Sequence, residues 1–244
     1  MVIDLKGAAR FIGTMKVAIV SGTSIARSGI FDDWELRLAS TPYGEMEYKE
    51  ASGVVVINRH GFRSPLPPHR TNYRGYVHLL KQLGVEATLS LNSVGSLVDD
   101  LPPGSLVSCS DYVSFAPITF VDDAPSGFAP SIDNQLLEKL ESGLSREISK
   151  NRVYAQTRGP RFETKAEVRI LQKWGCDVVG MTLANECDLL LESGISVTSL
   201  CMIDNFAHGI GDQELSYEAF RELVKENQKI VDEALEVSLK LFQD

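Results

Sequence analysis

Short runs of β-branched and apolar residues alternate along this chain with longer segments that have helical periodicity. Several of the short runs are apolar on both faces, which is typical of strands buried inside a sheet. The predicted strands are residues 16–21, 53–58, 87–92, 105–110, 176–181 and 195–202. The predicted helices, with apolar residues three and four apart, are 72–83, 134–147, 164–174, 184–193 and 216–241. This alternation predicts an α/β fold, a three-layer sandwich with a mixed, mainly parallel central sheet.

The length and composition bound the domain organisation. The 244 residues are enough for one large α/β domain, and no repeat or low-complexity tract divides them. We predict a single domain over 16–244, preceded by an N-terminal extension at 1–15. No apolar run approaches the roughly 20 residues of a membrane span, and the N-terminus lacks the apolar core of a signal peptide. We therefore expect a cytoplasmic protein without membrane association.

The charge and the cysteines restrict the possible partners. A net charge of −9 argues against nucleic acid or anionic membranes as partners, because both need a basic surface. A basic pocket for one small anion is compatible with this charge. The four cysteines form no CxxC pair and have no adjacent histidine, so neither a zinc site nor a disulfide framework is indicated.

Small or polar residues follow nearly every predicted strand. These clusters are SGTS at 21–24, NRHG at 58–61, NSVGS at 92–96, GMT at 180–182 and DN at 204–205. Because ligands of α/β sheets collect outside the carboxyl ends of the strands, we expect the clusters to meet in one crevice.

Several of these clusters suit an oxyanion. The segments 22–23 and 93–95 can present backbone N–H groups and hydroxyls, and Arg59 adds a fork of guanidinium donors. Each signal alone is equally typical of a turn or a solvated charge, but together they predict a site for free phosphate. The P-loop and Rossmann patterns are absent from the sequence, as is a nucleophile elbow. His60 beside Arg59 is expected on the substrate side, whereas His69 is at least as well explained as a structural histidine.

Two further segments are informative. Gly159-Pro160 predicts a turn that aims Glu163 toward a ligand, with a helix cap as the alternative role for that carboxylate. The loop at 116–131 is long for a simple connection, so it is a lid, a wall of a neighbouring subunit's site or a surface loop.

Taken in order, the motifs of this chain resemble those of one enzyme family. The matching strings are SGTS (21–24), TPYGE (41–45), NRHG (58–61), PPHRTNYR (67–74), NSVGSL (92–97), YAQTRGPRFET (154–164), DVVGMT (177–182) and the pair DN (204–205). They are similar in order and spacing to the trimeric purine nucleoside phosphorylases and methylthioadenosine phosphorylases, closest to the methylthioinosine, or 6-oxopurine, branch. The resemblance runs from about residue 16 to about residue 241 and implies the nucleoside phosphorylase fold.

The resemblance also implies a reaction. It is the reversible phosphorolysis of a purine nucleoside to free base and ribose 1-phosphate, or the 5-methylthio analogue, in purine salvage. Inorganic phosphate is a co-substrate, and no metal or organic cofactor is implied. A homotrimer is implied, with a hexamer as the alternative.

By resemblance, each site residue has an expected role. The phosphate-binding residues would be Thr23, Arg59, His60, Asn92, Ser93 and Thr182. The substrate-binding residues would be Phe162, Glu163, Met181, Asn205, Tyr217, Phe220 and His69. Catalysis would depend on Asn205, Glu163 and His60.

Two of these residues bear on the choice of base. Glu163 can accept from N1–H of a 6-oxopurine, and the Asn205 amide can donate to N7 or O6. The methylthioadenosine enzymes have Asp at the position matching Asn205 and a small residue at that matching Glu163, and a second Asp of theirs is Ala207 here. A one-residue slip would instead place Asp204 at the base, so methylthioadenosine phosphorylase stays an alternative. A non-catalytic purine-binding protein on the same fold is the third interpretation. The 5′ substituent, methylthio or hydroxyl, is left open.

Overall fold

The computed structural model describes residues 15–124, 127–211 and 216–243. Its strands are β1 (Val17–Ser21), β2 (Leu36–Thr41), β3 (Gly44–Ala51), β4 (Val54–Asn58), β5 (Ala87–Ser96), β6 (Leu106–Val113), β7 (Ile148–Gln156), β8 (Val178–Gly180) and β9 (Ser196–Phe206). Its α-helices are α1 (Tyr73–Gln82), α2 (Leu137–Gly143), α3 (Lys165–Lys173), α4 (Leu183–Glu192), α5 (Tyr217–Glu226) and α6 (Gln228–Gln243).

A mixed sheet lies between two layers of helices. Across the described residues it has nine strands in the order β2-β3-β4-β1-β5-β8-β7-β6-β9. In β1, Ala18 and Val20 pack into the cluster that contains α1 and α4, whereas Val17 and Ile19 face α2 and α6 on the other side. Both sets are buried because successive side chains of a strand point to opposite faces. The predicted three-layer α/β fold is confirmed.

The sheet contains two sets of parallel strands, and the set of β1, β4, β5 and β9 brings its carboxyl ends to one edge. β1 pairs in parallel with both β4 and β5, and β5 pairs in parallel with β9. The pairing of β5 with β9 also joins the two ends of the run β5-β8-β7-β6-β9, so this part of the sheet closes on itself. Closure places the ends of β8 and β9 beside the end of β5.

The sequence did not predict three of the strands. β2 and β3 form an antiparallel hairpin that has no buried residue, and their charged sequences lack the apolar runs used to recognise strands. β7 begins with the buried Ile148, but residues 149–153 are exposed or half-buried, and the strand is fully buried only at Tyr154 and Ala155. The predicted strand at 176–181 is shorter than expected and runs antiparallel to β5, so its end reaches the common edge from the opposite direction.

The helix predictions differ from the structure at their ends. The helix predicted at 134–147 is confined to α2, because Asn134 has a φ of 50° and the backbone becomes extended at Leu144, with a ψ of 150°. The helix predicted at 216–241 is two helices that divide at Asn227. The Asn227 amide donates to Asp204 Oδ1 at 3.0 Å, so this break tethers the last helices to β9.

Some predicted regions lie partly outside the described residues. The proposed N-terminal extension is outside them apart from Met15, and the 116–131 loop is described except at 125 and 126. The start of this loop is held by α4, where Asp188 accepts from Ile118 N at 3.0 Å and Glu192 accepts from Phe120 N at 2.7 Å. In the described part of the chain, no helix is long and apolar enough to span a bilayer.

A tyrosine on β7 fixes the junction between β8 and α4. The Tyr154 hydroxyl is fully buried and accepts from the backbone N–H groups of Thr182 and Leu183 at 3.0 and 3.2 Å. The same hydroxyl occupies the position that a Cβ at residue 180 would need, which explains why residue 180 is glycine. Close approach of two backbone segments is a common reason for glycine.

We expect Gly180→Ala to lower the free energy of unfolding by about 1–3 kcal/mol, because the added methyl group overlaps the buried Tyr154 hydroxyl. Urea denaturation measures this change. Gly29→Ala is the matched control, since the exposed Gly29 has only the Asp32 carboxylate near its Cβ position, at 3.6 Å. In the double variant with Tyr154→Phe the two costs should be less than additive. Strict additivity would mean that the hydroxyl is not the obstacle.

Candidate active site

One cavity of about 570 Å³ lies at the edge where the strand ends meet. It is lined by residues from all five polar clusters predicted from the sequence. The predicted site residues that line it are Thr23, Arg59, His60, Ser93, Phe162, Glu163, Met181, Thr182, Asn205, Tyr217 and Phe220. Among the described residues, the charged groups of this lining are three arginines, at 27, 59 and 221, and Glu163. These residues give the described lining a net positive charge in a chain that is acidic as a whole.

Two of the predicted residues are placed elsewhere. Asn92 is fully buried behind the cavity, where its amide bonds to Ser90 and Thr182. His69 lies on an exposed 3₁₀ turn and lines a separate hollow with Tyr43 and Arg74. The structure thus does not bring either side chain into the cavity wall.

Arg59 is buried and held from several directions. Its Nε and Nη2 donate to the Glu186 carboxylate at 2.5 and 3.1 Å. Its Nη1 and Nη2 also donate to Leu91 O at 3.1 and 3.0 Å, and Nη2 lies 3.1 Å from Val20 O. A guanidinium has five N–H donors, and these bonds use nearly all of them. The nitrogen nearest Gly22, which lines the cavity, is Nη1. Arg59 thus contributes a fixed positive charge and about one free N–H to the cavity.

Glu186, on α4, is one of the site residues that sequence reasoning missed. It is fully buried and accepts from Arg59, from the Tyr76 hydroxyl at 2.9 Å and from the Ser90 hydroxyl. A carboxylate surrounded by four donor atoms from three residues is well satisfied despite its burial. The signal in the sequence was an acidic residue among the apolar positions of the helix at 183–192.

His60 packs against the turn after β1. Its ring lies 2.6 to 2.7 Å from the position of a Cβ at Gly22, so only glycine allows this approach. Its Nδ1 is 3.5 Å from the Thr71 hydroxyl. Burial and, second, the neighbouring Arg59 charge lower the pKa of His60 to about 4. His60 is therefore neutral at physiological pH and offers the cavity an uncharged ring.

Glu163 faces the cavity rather than capping a helix. Thr164 is the N-cap of α3 and forms a capping box with Glu167, so the alternative role for Glu163 is not observed. The Glu163 carboxylate is buried and accepts from the Thr157 hydroxyl at 2.6 Å through Oε1. Oε2 is left for a ligand, and Thr157, which the sequence did not reveal, sets its direction.

The neighbouring residues Asp204 and Asn205 point in different directions. Asn205 lines the cavity, and its Nδ2 donates to Phe206 O at 2.7 Å with a second N–H remaining. Asp204 is almost fully buried, accepts from Ser93 and Asn227, and does not line the cavity. Alternation along β9 separates the two side chains.

Aromatic residues form the outer wall. The rings of Phe162 and Phe220 meet edge to face at 5.7 Å between centroids, and Tyr217 lies 6.3 Å from Phe220. Leu66 adds to this apolar side of the lining. Such a wall can pack on a flat heterocycle or an apolar substituent.

The cavity lining contains no cysteine among the residues that the structure describes. Within the described ranges, no three His, Cys, Asp or Glu side chains are placed to hold a metal ion. The four cysteines are buried free thiols. The cavity instead combines a fixed cation, hydroxyls and a neutral imidazole with one free carboxylate oxygen and one amide.

Comparison with known proteins gives consistent results. A family profile described as the phosphorylase superfamily matches residues 16–240. A probable 6-oxopurine nucleoside phosphorylase from Archaeoglobus fulgidus is 37% identical over 233 residues, which are 90% of this chain and 95% of that protein. A probable S-methyl-5′-thioinosine phosphorylase from Methanocaldococcus jannaschii is 38% identical over 221 residues, 86% of each chain. A solved methylthioadenosine phosphorylase from Schistosoma mansoni in complex with adenine shares the fold, with a TM-score of 0.76 and 23% identity over 93% of each chain.

We expect the free energy of unfolding to decrease as the pH falls from about 6.5 toward about 4. Over this interval the unfolded chain binds a proton on His60 that the folded chain excludes. His60→Gln should show a smaller decrease in urea titrations at a series of pH values. His69→Gln removes an exposed histidine and should behave like the wild type. Equal slopes for His60→Gln and the wild type would contradict the buried neutral state.

Proposed function

The chain belongs to the phosphorylase superfamily, and we propose that it is a pentosyltransferase that catalyses the reversible phosphorolysis of 6-oxopurine nucleosides. The substrates are 5′-methylthioinosine, inosine or guanosine, and the products are a free purine base and the corresponding pentose 1-phosphate. One observation carries this proposal. Arg59 and Thr182, which suit an anion, line the same cavity as Glu163 and Asn205, which suit an oxygenated purine.

The reaction requires an anion held beside C1′ of the sugar. As the base leaves, the sugar gains oxocarbenium character, so a fixed anionic nucleophile stabilises the transition state by position and charge. The Arg59 charge, held by Glu186, and the Thr182 hydroxyl support such a site. No covalent protein nucleophile is needed, because inorganic phosphate is the attacking co-substrate.

The reaction also requires groups that receive the departing base. A 6-oxopurine presents N1–H as a donor and O6 and N7 as acceptors. The free oxygen of Glu163 matches the donor, and the remaining N–H of Asn205 matches an acceptor. Negative charge that develops on the purine would be stabilised by the Asn205 donor.

The placement of Asp204 favours 6-oxopurines over adenine. A carboxylate at residue 205 would accept from a 6-amino group, but the carboxylate of this pair is turned away and bonded to Asn227 and Ser93. Adenine also has no N1–H for Glu163, so both groups would be mismatched. Methylthioadenosine is thus the second candidate substrate, and purine binding without turnover the third interpretation.

The apolar outer wall supports substrates with a 5′-methylthio group. Phe220, Tyr217 and Leu66 offer no strong donor other than the tyrosine hydroxyl, so a thioether loses little by desolvation there. Inosine and guanosine remain substrates in this proposal, with Tyr217 as the available partner for a 5′-hydroxyl.

The assembly and location remain predictions from the resemblance. Phe115 and Trp174 are 68% and 54% exposed and lie 5.1 Å apart, and an exposed aromatic pair supports a homotrimer or hexamer. A cytoplasmic location, a role in purine salvage and the absence of a cofactor are proposed on the same basis.

We expect 5′-methylthioinosine and inosine to be converted to hypoxanthine only when inorganic phosphate is present. A panel of inosine, guanosine, adenosine, methylthioinosine and methylthioadenosine, followed by chromatography of the free bases, measures this. The 6-oxopurine nucleosides should react at least about tenfold faster than their 6-amino counterparts, since two hydrogen-bonding groups are mismatched in adenine.

Other outcomes identify the competing interpretations. Release of base in phosphate-free buffer would indicate a hydrolase. Preference for methylthioadenosine would favour the second candidate, and tight base binding without product would favour a binding protein.

We expect Asn205→Asp to shift the ratio of inosine to adenosine turnover toward adenosine by about tenfold or more, because a carboxylate accepts from a 6-amino group and repels O6. Competition assays with both nucleosides in one mixture measure the ratio. Asn151→Asp makes the same change at an exposed residue of β7 and should leave the ratio unaltered. An unchanged ratio in Asn205→Asp would remove Asn205 from base recognition.

A further inference from the structure

We propose that Thr182 faces the cavity as a hydrogen-bond acceptor and that the phosphate site therefore selects a protonated oxyanion. Three positioning residues, Glu186, Ser90 and Asn92, set this direction through a buried chain of hydrogen bonds. The inference rests on the proposed function, because it concerns the form in which inorganic phosphate is bound.

Glu186 sets the direction of every hydrogen bond in this buried series. Glu186 forms a buried ion pair with Arg59, and the carboxylate of an ion pair can only accept hydrogen bonds. The Ser90 hydroxyl contacts this carboxylate and must therefore donate to it. A serine has one hydroxyl proton, so the Ser90 oxygen is left as an acceptor for its other neighbour.

The orientation of Asn92 follows from this. Its Nδ2 lies 2.9 Å from Ser90 Oγ and donates to it, because that oxygen has no further proton to give. The Asn92 carbonyl oxygen must then face Thr182, at 2.7 Å from Oγ1. An amide oxygen cannot donate, so the proton of this hydrogen bond comes from Thr182.

Thr182 has no hydroxyl proton left to donate to a ligand in the cavity. The one hydroxyl proton of Thr182 points away from the cavity, and its lone pairs are what the lining presents. Hydrogen phosphate can donate its P–OH to this oxygen. Sulfate has the same shape and charge in mildly alkaline buffer but no proton, so oxygen lone pairs would meet there.

Burial prevents these hydrogen bonds from reversing their direction. Glu186, Ser90 and Asn92 are fully buried, and Thr182 is 6% exposed. Water cannot reach the three inner groups to offer replacement protons, and breaking one bond would leave a buried polar atom unpaired. Reversal of the chain requires a donor in place of the Glu186 carboxylate.

The test is calorimetric titration of the intact protein with phosphate and with sulfate, in mildly alkaline buffer and without nucleoside. We expect phosphate to bind at least about tenfold more tightly than sulfate, because one hydrogen bond to Thr182 is replaced in sulfate by two facing acceptors. Thr182→Val should reduce this ratio toward one, and Thr182→Ser, which keeps the hydroxyl, should retain it.

Glu186→Gln is the variant that separates direction from structure. With its oxygen at the position of Oε1, the introduced amide still accepts from Arg59 Nε and Tyr76, and its NH2 group can donate to Ser90. Arg59 Nη2 loses one acceptor but keeps its bonds to Val20 and Leu91.

Every bond from Ser90 to Thr182 can then reverse, which turns the Thr182 proton toward the ligand. We expect sulfate to gain relative to phosphate by about fivefold or more. A purely structural role of Glu186 would weaken both anions alike and leave their ratio unchanged.

The outcomes distinguish this inference from the proposed function. Equal binding of phosphate and sulfate by the wild type, or an unaltered ratio in Thr182→Val, overturns the inference even if phosphorolysis is observed. Absence of phosphate binding together with absence of phosphorolysis overturns both.

Discussion

The buried ion pair between Arg59 and Glu186 is the interaction on which the rest of the site depends. The two side chains are 3% and 0% exposed, and an unpaired charge at either position would cost several kcal/mol. The same arginine also bonds to the carbonyl groups of Val20, near the end of β1, and Leu91, in the middle of β5, so one cation joins β4, α4 and two further strands. A positive charge thereby borders the cavity without a flexible side chain to order on ligand binding.

The closed part of the sheet explains why two unlike binding surfaces share one cavity. β5 pairs with β1, β8 and β9, so groups that suit an anion and groups that suit a base are delivered to neighbouring strand ends. The register of β5 and β9 shifts between Val94 and Gly95, and a Cβ at Gly95 would lie 3.2 Å from the Asn205 amide. The irregularity and the missing side chain together let Asn205 reach the cavity.

Prediction from the sequence succeeded where a pattern is local and repeated. The buried strands around Ile19 and Val56 show the expected apolar runs, and the polar residues after them meet as the topology of α/β sheets requires. It failed where context decides. The β2–β3 hairpin is half exposed and charged, so it lacks the apolar run that indicates a strand. The break between the last two helices at Asn227 contains no proline or glycine from which it could be predicted. The aim of Glu163 depends on Thr157, a contact no spacing rule reveals.

The amino-acid sequence alone establishes the fold class, the family and the identity of most residues around the cavity. Composition, periodicity and motif order are sufficient for this because they are properties of short stretches of chain. The contacts that those side chains make are set only in the folded tertiary structure. Arg59 and Glu186 are 127 positions apart, and Thr182 and Asn92 are 90 apart. The direction of a hydrogen bond depends on such distant pairs, because one hydroxyl proton can be donated to only one acceptor. The direction is therefore set only when the strands and helices pack together.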